Sequence, residues 1–419
     1  MQEEISVDLL IRAGAIYSMS FDRAVYRSIA IQGDHIVALS VAADGLNKLI
    51  GPATRIVDDS SLTLLPAFID THNHLLEATR NRMLVPVQHA RSVSEILELI
   101  RHRANETPNG RWIQTSNAWH EQNLEEKRLP TALELDQATS DHPVLVRRGG
   151  HMAVANSFAF KLAGLTSATP DPVGGRLGRF PDGNLNGMLE GGAQYQFIHI
   201  PPLPLEEQIG ALEESCRVFN AAGIGTVRDP VVGPDGIRLY QAAEESGRLS
   251  LRCRPMLLIL PTGSVAERIA RIDGFALRSG FGNDRLKVWG LKFVLDGGPE
   301  GGALDKPYAN DPSFAGHLNW NPDEMFEVMH ASVQNGWRIG THAIGDRAVR
   351  TILDVYERVS AANTRLPSGT LVIEHAFLAD KVQRARASNS APGSQFSMPS
   401  SMLWVRVWSS SGDLNGLAM

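Results

Sequence analysis

The chain has 419 residues, 43% hydrophobic and 21% charged, with a formal net charge of −6, so it can bury a sizeable core and carries no basic stripe for nucleic acid. Its two cysteines, Cys216 and Cys253, lie far apart, which argues against a disulfide framework and for a reducing compartment. No stretch approaches the ~20 apolar residues of a membrane span, and the start, MQEEISVDLLIR, is acidic where a signal peptide is basic, so a cytoplasmic enzyme is expected.

Residues 7–63 carry β-branched residues in partial alternation, with Gly33-Asp34 suited to a tight hairpin turn. They predict a small N-terminal β-sandwich-like domain over residues 1–63. Residues 64–75, LLPAFIDTHNHL, read as a short buried strand ending in two histidines, His72 and His74. On a strand, positions i and i+2 share a face. Two neutral imidazoles side by side at a strand end suit a transition metal, although paired loop histidines give the same pattern. Residues 92–105 have helical spacing with Ser92 as a cap, and residues 111–118 and 143–148 are strand-like. Residues 119–205 form a Gly- and Pro-rich excursion read mainly as loop, in which Asn156 suits a short helix's cap.

From residue 206 strand and helix alternate regularly, with helices ending at Gly223, Gly247 and Gly336. Alternation of this kind calls for a parallel sheet, and the polar residue closing most strands favours an α/β fold of the (β/α) TIM-like barrel type over residues 64–386. Such barrels carry their sites at the carboxyl ends of the strands. Those ends supply His72 and His74, Asp229, Lys292 with Asp296, His342, and Glu374-His375. Lys292 is costly to bury as a cation; it either snorkels to solvent or is modified, for example carbamylated by carbon dioxide.

The motifs PAFIDTHNHL, GHMAVANS, LKFVLDGG, THAIGDRAV and VIEHA resemble the amidohydrolase superfamily, most closely the YtcJ-like group (amidohydrolase family 3), which includes N-substituted formamide deformylases. The resemblance covers about residues 5–386. It implies a metal-dependent hydrolase of carbon–nitrogen bonds other than peptide bonds, with one or two divalent ions, zinc foremost. It places metal ligation on His72, His74, Lys292, His342 and His375. His151, in the GH-x-A-x-x-N motif, is implied as a substrate contact and joins Asp296 as a catalytic candidate; a loop histidine held by local hydrogen bonds is the plainer alternative. The expected partner is a small molecule, with neither nucleic acid nor membrane, and a homodimer is the assembly considered.

The superfamily's eighth-strand aspartate has no counterpart. Residues 387–419 are Ser-rich and form an atypical, poorly ordered tail by composition, too short for two further strand–helix units at about 250 residues per eight. The expectation is a barrel incomplete at its C-terminus, like that from a shifted reading frame or truncated gene, and an impaired or inactive metal-binding remnant stands as the alternative function.

Overall fold

The structure, a computed structural model, describes residues 6–389 apart from 22, 118, 150–151, 173–174, 192, 194–199, 299–300, 310–311 and 364–365. His151 and the tail from 390 onward lie outside the described residues. The chain divides into two compact units, residues 1–69 with 223–225, and residues 70–222 with 226–419.

The first unit holds β1 (Leu9–Tyr17), β2 (Val25–Gln32), β3 (His35–Ser40) and β4 (Arg55–Leu64) in one sheet of order β3-β2-β1-β4. β1 runs antiparallel to β2 and parallel to β4. The sequence reading anticipates a sandwich here, whereas the described residues form a single sheet. Gly33 turns the β2–β3 hairpin at φ +60. Val7, Leu10, Ala30 and Leu46 form a small core on the sheet. The unit extends six residues past the expected end at 63, and Phe68 N donates to Gly223 O at 2.8 Å within it.

The second unit is α/β. Its strands and helices begin with β5 (Phe68–Asp70), whose last residue opens the unit, α1 (Leu75–Arg82) and α2 (Val93–Glu106). There follow β6 (Ile113–Gln114), α3 (Ala132–Ala138), β7 (Val144–Arg148), β8 (Met152–Ala155), α4 (Ser157–Ala163), β9 (Gly175–Arg179) and β10 (Leu185–Gly191). These strands make a five-stranded sheet of order β6-β7-β8-β10-β9. The excursion anticipated as loop is therefore largely folded. Its glycines misled the reading: at Gly187, φ +108, a Cβ would sit 2.7 Å from Ala132 N, so the residue marks close packing within a strand. Asn156 does cap α4, accepting from Ala159 N at 3.0 Å, and Ser92 caps α2.

The remaining elements are α5 (Leu205–Ala221), β11 (Ile224–Val227), α6 (Pro234–Glu245), β12 (Arg252–Cys253), β13 (Met256–Leu258), α7 (Val265–Asp273), β14 (Gly290–Val294), α8 (Pro322–Gln334), β15 (Ile339–Ala343), α9 (Asp346–Ala361), β16 (Leu371–His375) and α10 (Lys381–Asn389). The expected strand 251–260 is interrupted at Pro255, which lacks an N–H for a ladder. Strands β13-β14-β15-β16 form one all-parallel sheet, and β11 pairs parallel with β12. One face buries Leu291, Phe293, Ile339, Leu371 and Ile373 against helices α7–α9 in the largest core. The alternate positions Lys292, Gly340, His342 and Glu374 point the other way, and the register places Lys292 beside Gly340 and His342 beside Glu374. Among the described residues no helix is long and apolar enough to cross a membrane.

Candidate metal centre

The strand ends bring the four histidines together. The His72 ring lies 5.3 Å from His74 and 4.5 Å from His375, and His342 lies 4.7 Å from His375, centroid to centroid. The route differs from the one the sequence suggests. His72 and His74 sit beyond β5, in a bend and at the N-cap position of α1, and do not share a strand face. His375 has the same parity as the core-facing Leu371 and Ile373. Its φ of +73 breaks the period-two alternation and brings its ring to His72 and His342.

Each of three rings has one nitrogen held by an oxygen. His72 Nδ1 donates to Glu374 Oε2 at 2.6 Å, His74 Nδ1 to the Pro230 carbonyl at 3.1 Å, and His342 Nε2 to the Gly297 carbonyl at 3.0 Å. Such bonds fix the tautomer and leave the opposite nitrogen as a lone-pair donor. His72 Nε2 is buried and has no hydrogen-bond partner. Lys292 Nζ is likewise buried without one, on a side chain 2% exposed, so the snorkelling alternative does not hold. Among the described residues no three His, Cys, Asp or Glu side chains already present a finished cation site. The rings are gathered, while the His342 Nε2 faces a carbonyl. The donor set nonetheless fits a divalent ion, because an orphaned buried imidazole nitrogen beside oxygen-tethered imidazoles is what a metal would satisfy.

Burial lowers the pKa of His74 and His342 and, together with the neighbouring imidazoles, takes His375 down to about 2, which favours the neutral imidazole in each. Burial also lowers Lys292 to about 8, against the opposing pull of Glu374. For Glu374, burial pushes the carboxyl up, but the His72 hydrogen bond and the charges of Arg228 and Lys292 outweigh it and hold it low.

Two contributors went unassigned in the sequence reading. Glu374, fully buried, bridges His72 and Arg228, whose Nη2 donates to Oε1 at 2.6 Å. Arg228 also donates from Nε to Thr71 O at 2.5 Å and lies 4.5 Å over the Trp289 ring. Gly340 makes room for this: a Cβ there would lie 3.0 Å from Glu374 Oε1 and 2.4 Å from Met256 Cε. The signal for Glu374 in the sequence was its place at a strand end beside His375, and for Arg228 only adjacency to Asp229. Asp296, the catalytic candidate, is tied into the backbone. Its carboxylate accepts from Ile344 N, Gly345 N and Ala303 N at 2.9–3.0 Å, tying the loops after β14 and β15 together, with His342 Nε2 at 3.6 Å. Asp229 accepts from Tyr240 and Leu76 N, and burial raises its pKa to about 7.

A cavity of 690 Å³ opens along α1, lined by Glu77, Arg80, Gln114, Asn117, Arg147 and Arg238 among others. None of the four histidines lines it; its link to them is α1, which follows His74.

The sequence model of the amidohydrolase family matches residues 55–407, past the point at 386 where the resemblance was expected to stop. Protein LONG AFTER FAR-RED 3 from Arabidopsis thaliana is 28% identical over 86% of this chain, which spans 62% of that protein's length. An N-substituted formamide deformylase from Arthrobacter pascens is 24% identical over 91% of this chain and 71% of its own. The crystal structure of an uncharacterized metal-dependent hydrolase from Pyrococcus horikoshii OT3 superposes with a TM-score of 0.72 at 25% identity, covering 91% of this chain and 72% of that one.

Proposed function

The chain belongs to the amidohydrolase family, and from that premise we propose that it is a metal-dependent hydrolase of carbon–nitrogen bonds in small molecules, N-substituted amides or formamides. The observation that carries this reading is the convergence of four imidazoles from three segments beside a buried lysine whose Nζ has no hydrogen-bond partner. His72, His74, His342 and His375 would hold the ion, with zinc favoured by an imidazole-rich donor set. When bound, a divalent ion polarises a carbonyl and lowers the pKa of water. The Lys292 amine, buried and readily neutral, suits carbamylation, in which carbon dioxide adds to nitrogen and one proton is released. Glu374 and Arg228 orient His72, Asp296 orients the loops around His342, and the cavity along α1 offers room for a small substrate. The formamide class is supported by the deformylase among the relatives.

The test is formate or carboxylate release from a panel of N-formyl and N-acyl amines by the zinc-loaded chain. Turnover that disappears in His375→Ala is expected; no turnover on any member, with metal bound, would contradict the reading. A second reading, a metal-binding chain with impaired turnover, is favoured by one observation. The strand-end carboxylates Asp229, Asp296 and Glu374 each accept hydrogen bonds that hold the scaffold. The same panel separates the two.

A further inference from the structure

We infer that Asp229 and Tyr240 form a clamp that fixes the His74 imidazole by holding the first turn of α1, an inference that rests on the metal centre proposed above. Tyr240, fully buried on α6, donates its hydroxyl to Asp229 Oδ2 at 2.6 Å. The same oxygen accepts from Leu76 N at 3.1 Å. The first amides of a helix lack intrahelical acceptors, and His74, at the N-cap position of α1, supplies no side-chain cap bond. Asp229 therefore caps α1 from another element. The next residue completes the hold, because the Pro230 carbonyl accepts from His74 Nδ1 at 3.1 Å.

The turn that achieves this is strained. Val231 has φ +76, an outlier for a β-branched residue. Such conformations persist only where their surroundings impose them. Here Asp229 N donates to Arg254 O and Val232 N to Met256 O, pinning both sides of the turn. Packing is tight as well: a Cβ on Gly236 would lie 2.5 Å from Leu76 Cδ1 and 2.9 Å from Val232 Cγ1. Four features, a buried phenol, a buried carboxylate, a strained turn and a required glycine, converge on His74 and Leu76. A buried carboxylate is expensive unless it is hydrogen-bonded, and the bonds Asp229 accepts come from Tyr240 and from the first turn of α1 that follows His74.

The experiment is zinc affinity of the full chain by competition with a chromophoric chelator. Asp229→Ala should bind zinc about 10- to 100-fold more weakly. Asp229→Asn should lose far less, since its amide oxygen still accepts both hydrogen bonds. In a His74→Ala background Asp229→Ala should bring no further loss, as coupled partners require. Undiminished affinity in Asp229→Ala, or the same loss with His74 already removed, would overturn the clamp. If Asp229→Ala fails to fold, Tyr240→Phe is read by the same cycle. A wild-type chain that takes up no zinc contradicts the metal centre itself. The clamp is then judged on the metal-free protein by the His74 Nδ1 proton resonance, which should be slow to exchange and lost in Tyr240→Phe; a resonance unchanged in that variant overturns it.

Discussion

Glu374 shows how much can depend on one buried side chain. It neutralises Arg228, orients His72 and occupies space that only a glycine at 340 leaves open. Glu374→Ala leaves the Arg228 guanidinium buried and unpaired, and should cost about 3–5 kcal/mol in urea denaturation. A loss well under ~1 kcal/mol would mean that water replaces the carboxylate, as at an exposed ion pair. Lys292 gives a prediction of opposite sign. Its pKa falls from 10.5 to about 8 on folding, so below pH 8 the folded chain holds a proton that burial disfavours. Between pH 8 and 10.5 the unfolded chain binds more protons, and stability rises with pH. Metal-free Lys292→Met should therefore be the more stable protein at pH 7, by on the order of 3 kcal/mol, with the gap closing as pH passes 10. A gap that does not change with pH would contradict this. His72, His74, His342 and His375 were legible one by one, since each closes a hydrophobic run. The His72–Glu374 pair was not, because partners 302 positions apart leave no local pattern.

Elements were legible where a local stop or cap signal exists. Ser92 and Asn156 act as caps, and Gly223, Gly247 and Gly336 have φ of +79, +71 and +83 where helices end. Asn156 also accepts from Val144 N and donates to His142 O, joining α4 to β7. Asn156→Ala should cost about 2 kcal/mol, toward the upper end for caps, measured as a lowered Tm; an unchanged Tm would show that the cap is dispensable. Gly345 is a second test. Its Cβ would fall within 1.9 Å of Ala303 O, so Gly345→Ala must part the loops that Asp296 joins, and should lower zinc affinity together with stability. Local signals placed β7 but failed for β8–β10, which are short and punctuated by turn residues. Their pairing is decided by partners across the sheet, such as Leu145 with Ala155 and Leu189 with Ala153.

At the scale of the whole molecule, the order of strands and helices from residue 206 followed from periodicity alone, and parallel pairing of β13 through β16 followed from that order. The extent of the N-terminal unit did not, because its division from the rest is set by long-range contacts rather than composition. What periodicity could not reveal was that His72, just past β5, comes into hydrogen-bonding reach of Glu374 on β16. The most direct test is elemental analysis of the purified chain beside a His72→Ala/His375→Ala variant of matching circular dichroism. At least one tightly held divalent ion per wild-type chain and its loss from the variant are predicted; equal metal content in the two would contradict the centre.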